Sequence, residues 1–240
     1  MRKLVVITGA SSGVGLATAK LFSKNGFNTL LLSNRMLESG VQLDNSLSLD
    51  VDVTDYNALK QAIEQGEKQF GPVDFLFNNA SRSGNADENI DESIMEGMLL
   101  TNIKGVMNGT KIVSEGMKKR RSGTIINMGS LSALYGYPEF PMTIDNATKA
   151  AVVLFTREQR RFLAPHNVRC VLLEPGLMNT TSLHSALKND EKIINEFLKA
   201  HEGAYLLPEE IAEAIYAIYS LPQHICMREV AISGTRQELP

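Results

Sequence analysis

The feature that most constrains this chain is a glycine-rich turn between its first apolar run and its first helical pattern. Leu4–Thr8 is an apolar run of strand length, and the turn Thr8–Gly15 (TGASSGVG) follows it without a break. Apolar residues then recur at helical spacing until Asn25-Gly26, a pair typical of helix C-termini. The sequence therefore predicts a buried strand, a tight turn and an amphipathic helix as the first unit of the fold.

The rest of the chain repeats this alternation of short apolar runs and longer helical patterns. Further strands are predicted at residues 29–33, 46–49, 73–77, 124–128, 168–173 and 229–232. Helical patterns lie between them, one capped by Thr54 or Asp55 and others over residues 92–117, 146–163 and 208–219. Such alternation favours an α/β fold of the Rossmann type, a doubly wound parallel sheet of about seven strands with helices on both faces. No linker or repeat divides the chain, so residues 1–240 are expected to form one domain.

Composition excludes several classes of function. The 240 residues carry a net charge of −3, which gives no electrostatic basis for binding nucleic acid or an anionic membrane. No segment approaches the ~20 apolar residues needed to cross a bilayer, and the apolar start is too short for a signal peptide. Two distant cysteines and four scattered histidines predict neither a disulfide nor a metal site. We therefore expect a cytoplasmic protein with reduced thiols and no bound metal.

The glycine-rich turn is suited to binding a diphosphate. Backbone N–H groups and the positive end of a helix attract phosphate, and glycines let it approach the backbone closely. Glycines 9, 13 and 15 are placed as in dinucleotide-binding turns. The turn residues predicted to contact the cofactor are Gly9, Ser11, Ser12, Gly13, Val14 and Gly15.

The end of the second strand indicates which dinucleotide binds. An acidic residue there hydrogen-bonds the ribose 2′-hydroxyl of NAD and repels a 2′-phosphate. This chain has Ser33-Asn34-Arg35 instead, and an arginine can pair bidentately with a phosphate. Asn34 and Arg35 therefore favour NADP(H) over NAD(H), which stays possible. The alternative interpretation of Arg35 is a solvated surface arginine.

Five more motifs follow in order: Asp52-Val53-Thr54-Asp55, Asn78-Asn79-Ala80-Ser81, Asn102 in Thr-Asn-Ile-Lys-Gly, Asn127-Met128-Gly129-Ser130, and Pro175-Gly176-Leu177-Met178-Asn179-Thr180. With the glycine-rich turn, they make the chain resemble the classical short-chain dehydrogenases/reductases over nearly its whole length. The resemblance implies that Ser130 is the catalytic serine and that Asn102 supports a proton-relay water. The further cofactor contacts that it implies are Asp52, Val53, Asn79, Ala80, Pro175, Gly176 and Thr180.

The family's Tyr-x-x-x-Lys signature is where this sequence departs from the resemblance. Lys149 is present and is expected to bond the nicotinamide ribose, but Asp145 stands where the tyrosine belongs. The interval between Ser130 and Asp145 is also longer than in a typical member. A carboxyl with a reference pKa of ~3.9 and a cation one helical turn away should be ionised at neutral pH, and so unable to donate a proton. An Asp145–Lys149 ion pair would also compete with the ribose contact.

Other side chains could replace the missing phenol. Tyr135 and Tyr137 follow the serine in a loop that the resemblance places beside the substrate. Each is either a substitute acid or an aromatic residue that lines the pocket, and Tyr137 is the substitute that we test for. Ser132 is the alternative to Ser130 as the catalytic serine.

Two other segments bear on the substrate and on partners. Residues 181–206 are polar and irregular in pattern, and we expect them to form a mobile lid that selects a small-molecule substrate. The helices at 92–117 and 146–163 carry apolar residues beyond the needs of the core, namely Val106, Ile112, Val152 and Phe155. The resemblance then implies a homodimer or homotetramer assembled through these helices.

Two functional classes remain open at this point. The first is an NADPH-linked oxidoreductase that reduces a carbonyl, or oxidises the alcohol, with Ser130, Lys149 and an atypical proton donor. The second is an NADP(H)-binding protein without redox turnover, which acts as a sensor or as an inactive partner in an assembly.

Overall fold

The computed structural model describes residues 2–83, 90–136 and 142–238, and seven strands of this part of the chain lie side by side in one parallel sheet. In chain order, the strands are β1 (Leu4–Thr8), β2 (Asn28–Ser33), β3 (Ser46–Asp50), β4 (Val73–Asn78), β5 (Thr124–Met128), β6 (Arg169–Pro175) and β7 (Glu229–Ile232). Their order across the sheet is β3-β2-β1-β4-β5-β6-β7. The predicted doubly wound sheet is thereby confirmed. In such sheets ligands bind beyond the carboxyl ends of the strands, where the strand order reverses, here between β1 and β4.

Helices cover both faces of the sheet. The helices are α1 (Gly13–Lys24), α2 (Tyr56–Phe70), α3 (Glu92–Leu99), α4 (Val106–Arg120), α5 (Ser132–Tyr135), α6 (Thr143–Leu163), α7 (Thr181–Ala186), α8 (Glu191–Ala200) and α9 (Pro208–Ser220). A π-helical turn, Leu100–Gly105, joins α3 to α4. None of the helices within the described ranges is long and apolar enough to cross a membrane.

The central strands are buried on both faces because each face has its own helical layer. Val5 and Ile7 of β1 pack with Phe22 of α1 in one cluster, while Leu4 and Val6 pack in the other. This explains why the strands read as continuous apolar runs without polar alternation. Polar side chains that serve a site must therefore lie where strands end, or be hydrogen-bonded inside the core.

Residues 181–206 are not irregular, contrary to the sequence prediction, because they contain both α7 and α8. Asp190 caps α8 by accepting hydrogen bonds from the backbone N–H groups of Lys192 and Ile193, at 2.9 and 3.2 Å. The dense charges at the start of α8 obscured the helical spacing of its few apolar residues, of which Ile194 is buried. Whether this segment acts as a lid stays a prediction.

Arg169 joins the sheet to the end of α9. Its guanidinium is 4% exposed and donates to the carbonyls of Ile218, Tyr219 and Leu221 at 3.3, 2.8 and 2.9 Å. Nε also donates to Thr124 Oγ1 at 2.8 Å. These carbonyls end a helix and have no partner within it, so the buried cation satisfies them and meets the negative end of the helix dipole.

We expect Arg169→Met to lower the free energy of unfolding by about 2–4 kcal/mol, since buried carbonyls lose a charged donor. Arg161→Met is the matched control, because the Arg161 side chain is 77% exposed and pairs with Glu158 on the surface. Urea denaturation monitored by circular dichroism measures both. Equal stabilities of the two variants would contradict the role assigned to Arg169.

Candidate active site

The turn between β1 and α1 approaches the end of β4 so closely that it requires glycine. Gly9 and Gly13 have φ angles of +66° and +52°, in the left-handed region. A Cβ atom at Gly9 would lie 2.8 Å from Ala80 Cα, and one at Gly15 would lie 2.3 Å from Gly9 O. At Gly13, by contrast, no atom of the described residues lies within 4 Å of the Cβ position, apart from its chain neighbours and the adjacent backbone of α1. The turn is therefore packed against the protein at two glycines and open at the third.

Thr8 and Asn79 hold the glycine-rich turn against β4. The Thr8 hydroxyl accepts hydrogen bonds from the backbone N–H groups of Asn79 and Ala80, at 3.0 and 3.1 Å. The side-chain amide of Asn79 donates to the carbonyls of Thr8 and Gly9, at 3.0 and 3.1 Å. The motif at the end of β4 thus supports the turn, an arrangement that neither motif reveals alone.

The side chains after β2 stand at the other side of the turn. Ser11 Oγ and Ser33 Oγ lie 3.0 Å apart, so the turn is also tied to the end of β2. Asn34 and Arg35 are exposed. Within residues 2–83, 90–136 and 142–238, Arg35 takes part in no ion pair. Its guanidinium is therefore free of an opposing carboxylate at the point where the sequence predicts a phosphate.

Asp52 and Val53 close this side of the crevice. Asp52 Oδ1 accepts from the backbone N–H of Thr54 at 2.8 Å, and its side chain is exposed. Val53 is buried and packs against Gly105 of the π turn, where a Cβ would lie 2.6 Å from Val53 Cγ2. Asn108 of α4 donates to Val53 O at 2.9 Å. The sequence analysis missed Asn108, since nothing in the pattern of α4 marks it.

Asn102 lies in the π turn and is 1% exposed. Its Oδ1 accepts from Arg82 N at 2.8 Å and from the Ser81 hydroxyl at 3.2 Å. Its Nδ2 lies within donor distance of Arg82 O, Thr148 Oγ1 and Asp145 Oδ1, at 3.0, 3.0 and 3.3 Å. One amide therefore joins the end of β4 to the first turns of α6. Ser81, the last residue of the motif at the end of β4, adds a donor to this array.

Asp145 and Lys149 lie one turn apart on α6 and are both buried, at 7% and 8% exposure. Burial raises the pKa of the Asp145 carboxyl, and this effect outweighs the opposing influence of Lys149 and of the Asn102 hydrogen bond. Burial likewise lowers the pKa of the Lys149 ammonium. Lys149 lowers the pKa of the carboxyl, as the sequence predicts, but the larger effect of burial reverses the net direction of the shift. Burial is the cause, and the helical spacing alone did not reveal it.

The predicted ion pair between Asp145 and Lys149 does not form. Neither carboxylate oxygen of Asp145 lies within 4.0 Å of Lys149 Nζ. Lys149 Nζ instead donates to Met128 O at 3.4 Å, at the end of β5. This places the lysine beside the strand end that leads into Ser130.

Ser130 and Ser132 form one hydroxyl pair. Their Oγ atoms lie 2.8 Å apart, and Ser130 Oγ also accepts from Ser132 N at 3.1 Å. Ser132 is 3% exposed, whereas Ser130 is half-buried. Ser130 is thus the more accessible of the two candidate serines, and Ser132 orients its hydroxyl.

The two candidate substitute tyrosines differ in what the structure shows. Tyr135 is the last residue of α5 and is 47% exposed. Tyr137 lies outside the described residues.

Among the residues that are described, no cluster of histidine, cysteine, aspartate and glutamate is suited to hold a metal ion.

The segment after β6 is fixed at its base. Gly176 N donates to Ile232 O at 2.8 Å, and Leu177 N donates to Gln237 Oε1 at 2.9 Å. Thr180 caps α7, its hydroxyl accepting from Leu183 N at 3.5 Å. Pro175 and Gly176 therefore lie at a strand end that the C-terminal segment covers, and Thr180 begins the helical segment beyond it.

Sequence reasoning also missed a buried polar chain beneath the site. Asn78 Nδ2 lies 2.8 Å from Asn127 Oδ1, and Asn127 Nδ2 donates to Thr156 Oγ1 at 2.9 Å. Asn78 also reaches Thr110 Oγ1 of α4 at 3.1 Å. These hydrogen bonds join the ends of β4 and β5 to α4 and to α6, the helix that carries Lys149. An asparagine at the end of each apolar run was the available signal.

Comparison with known proteins agrees with the fold and the motifs. A profile described as short chain dehydrogenase matches residues 3–192. The 3-oxoacyl-[acyl-carrier-protein] reductase FabG of Thermotoga maritima is 33% identical over 227 residues, which cover 91% of this chain and 90% of that protein. The NADP-dependent 3-hydroxy acid dehydrogenase YdfG of Salmonella typhi is 30% identical, with 98% and 96% covered.

Solved structures show the same relationship. A closed form of serine dehydrogenase complexed with NADP+ superposes with a TM-score of 0.86 at 27% identity, covering 98% of this chain and 96% of that one. The family profile covers well over half of the chain, and the relatives align along nearly their whole length. The chain therefore belongs to the short chain dehydrogenase family of NAD(P)-dependent oxidoreductases.

Proposed function

We propose that this protein binds NADP(H) in the crevice between β1 and β4 and interconverts a carbonyl compound and its alcohol. The observation that carries the cofactor site is the glycine-rich turn, which is packed at Gly9 and Gly15 and open at Gly13. An open glycine at the start of a twelve-residue helix fits a diphosphate, which needs backbone donors and no intervening side chain. The residues proposed to hold the cofactor are Gly9, Ser11, Ser12, Gly13, Val14, Gly15, Asn34, Arg35, Asp52, Val53, Asn79, Ala80, Lys149, Pro175, Gly176 and Thr180.

The preference for NADP(H) rests on Arg35. Its exposed guanidinium has no acidic partner among the described residues, and the carboxylate that would favour NAD is absent from the end of β2. The similar protein YdfG is named as NADP-dependent, and the similar serine dehydrogenase structure is a complex with NADP+, which supports the same preference.

We expect NADPH to bind at least about tenfold more tightly than NADH, corresponding to about 1.4 kcal/mol. Arg35→Ala should abolish most of this preference by removing the partner of the 2′-phosphate, whereas Arg121→Ala, at the far end of α4, should not. Fluorescence titration with both nucleotides measures the ratio. Equal affinities in the unmodified protein would contradict the assignment.

The proposed reaction is hydride transfer between the nicotinamide of the bound cofactor and the carbonyl carbon of the substrate. The chain must then deliver a proton to the carbonyl oxygen during reduction and accept it during oxidation. Ser130, whose hydroxyl is oriented by Ser132, is proposed to donate a hydrogen bond to that oxygen. Lys149 contributes positive potential and is proposed to bond the ribose. Asn102 orients the groups around Asp145.

Asp145, at the position where the family has tyrosine, is proposed as the atypical proton donor. A carboxyl serves as an acid only while protonated, and burial moves the pKa of Asp145 in that direction. Lys149 opposes this shift through its charge but does not cancel it, because the effect of burial is the larger one. This supports a functional carboxyl acid.

We expect Asp145→Asn, which keeps the size of the side chain, to lower kcat for ketone reduction by about 10²–10⁴-fold. NADPH affinity should change far less. Because the acid must be protonated, kcat of the parent should fall as pH rises through the raised pKa of Asp145. The variant should lose that descending limb. Stopped-flow pH profiles with a panel of ketones and aldehydes measure both effects.

Three outcomes separate the alternatives. Unchanged activity and pH profile in Asp145→Asn would contradict the carboxyl acid. A loss of activity in Tyr137→Phe, but not in Tyr135→Phe, would then assign the proton to Tyr137. A parent that binds NADPH but reduces no compound of the panel, and that gains reduction in Asp145→Tyr, would favour the binding protein without turnover.

We also propose that the chain assembles as a homodimer or homotetramer through α4 and α6. Val106 and Val152, two of the apolar residues expected at the interface, instead belong to the core at 5% and 1% exposure. Leu154 and Phe162 of α6 are 62% and 63% exposed. Large apolar side chains exposed along long helices favour burial against another copy.

Leu154→Glu and Phe162→Glu should each shift the protein toward monomer, since a charge would be buried at the interface. Leu37→Glu is the matched control, because Leu37 is equally exposed, at 64%, but lies far along the sheet after β2. Sedimentation velocity at micromolar concentration gives the distribution. A monomeric parent would contradict this assembly.

A further inference from the structure

Arg82 lies directly after the motif at the end of β4, and Asn102 fixes its backbone. Arg82 N donates to Asn102 Oδ1 at 2.8 Å, and Arg82 O accepts from Asn102 Nδ2 at 3.0 Å. The side-chain amide of Asn102, which is buried, thereby binds both the backbone N–H and the backbone carbonyl of Arg82. The backbone of Arg82, from which its side chain extends, is therefore anchored to a core residue.

The guanidinium of Arg82 lies over a glycine of α3. A Cβ atom at Gly97 would lie 2.3 Å from Nη1, 2.9 Å from Cζ and 3.2 Å from Nε of Arg82. Three atoms of the guanidinium therefore occupy space that is available only because position 97 has no side chain. Glycine is less favourable than alanine within a helix, and at position 97 it leaves room for the guanidinium.

The charge of Arg82 has no acidic partner among residues 2–83, 90–136 and 142–238, and the side chain is exposed. Arg157 and Arg161 differ in this respect, since they pair with Glu229 and Glu158. Because the guanidinium meets no carboxylate among the described residues, its planar donors can pair with an external anion, and a carboxylate matches them bidentately.

Asn102 also connects the backbone of Arg82 to the site of the reaction. The amide that holds Arg82 lies 3.3 Å from Asp145 Oδ1, so the arginine backbone and the proposed proton donor are neighbours of one side chain. We propose that Arg82 binds the carboxylate of an oxo acid substrate whose carbonyl lies beside Asp145 and Ser130. Arg82 is then a specificity-determining residue, and this inference rests on the proposed function.

The experiment compares matched substrates that differ in one charge. Each of a set of 2-, 3- and 4-oxo acids is paired with its methyl ester, and NADPH oxidation gives kcat/KM for both. The parent should prefer the acid by at least about tenfold, as a charge-assisted hydrogen-bond pair provides. The oxo position with the largest preference reports the spacing between the guanidinium and the reacting carbonyl.

Two variants test Arg82 and Gly97, the glycine beneath its guanidinium, separately. Arg82→Ala should reduce the ratio of kcat/KM for the acid to kcat/KM for the ester to near one. A general disturbance of the site would lower both values and leave their ratio unchanged. Gly97→Ala should reduce the ratio as well, because the methyl group displaces the guanidinium, although alanine favours the helix. The double variant should show no further reduction. Gly116→Ala, which crowds Arg120 on α4 in the same way, should leave the ratio unchanged.

The outcomes distinguish this inference from the proposed function. Reduction of acids and esters with equal efficiency, or an acid preference that survives in Arg82→Ala, would overturn the role of Arg82 and leave the oxidoreductase intact. If no pair is reduced, calorimetric titration of the NADP+ complex with the 3-oxo acid decides. Binding that weakens in Arg82→Ala would support the carboxylate site and contradict turnover, whereas binding that is absent or insensitive to Arg82 would overturn the site.

Discussion

Burial of the central strands on both faces is the constraint from which the site follows. With helices against both faces of β1, β4 and β5, a polar side chain within the sheet has no access to water and needs a partner in the protein. Asn78 and Asn127 meet this requirement through each other and through Thr110 and Thr156. The same requirement collects the remaining polar groups at the carboxyl ends of the strands. The crevice is thus a consequence of how the sheet is covered.

The fold could be predicted from the sequence because its signals are local. The apolar runs, the glycine-rich turn and the cap residues each act within a few positions, and the strands were found within about two residues of their observed bounds. The polar array around Asn102 could not be predicted in the same way. Its partners Arg82, Asp145 and Thr148 are distant in sequence and meet only after α6 packs beside the end of β4.

Asp145 shows the limit of local reasoning most clearly. Helical spacing correctly placed a cation one turn away, and from this an acidic, ionised carboxyl was expected. Desolvation depends instead on everything that packs around the side chain, and it moves the pKa the other way. The helices of residues 181–206 were missed for a different reason. In α8, Ile193, Ile194, Phe197 and Leu198 have helical spacing, but the charged run 188–192 before them indicated an irregular segment.

The π turn at Leu100–Gly105 changes how the long helical segment from Glu92 to Arg120 must be understood. Such a turn contains one residue more than an α-helical turn, so the residues on its two sides are rotated out of phase with each other by about one position, or ~100°. α3 and α4 therefore present different stripes to the protein, although they share an axis. The extra residue decouples the surface that Gly97 presents to Arg82 from the surface that α4 packs on the sheet. The two halves of this helix thus contact different parts of the protein, α3 the side chain of Arg82 and α4 the strand β4.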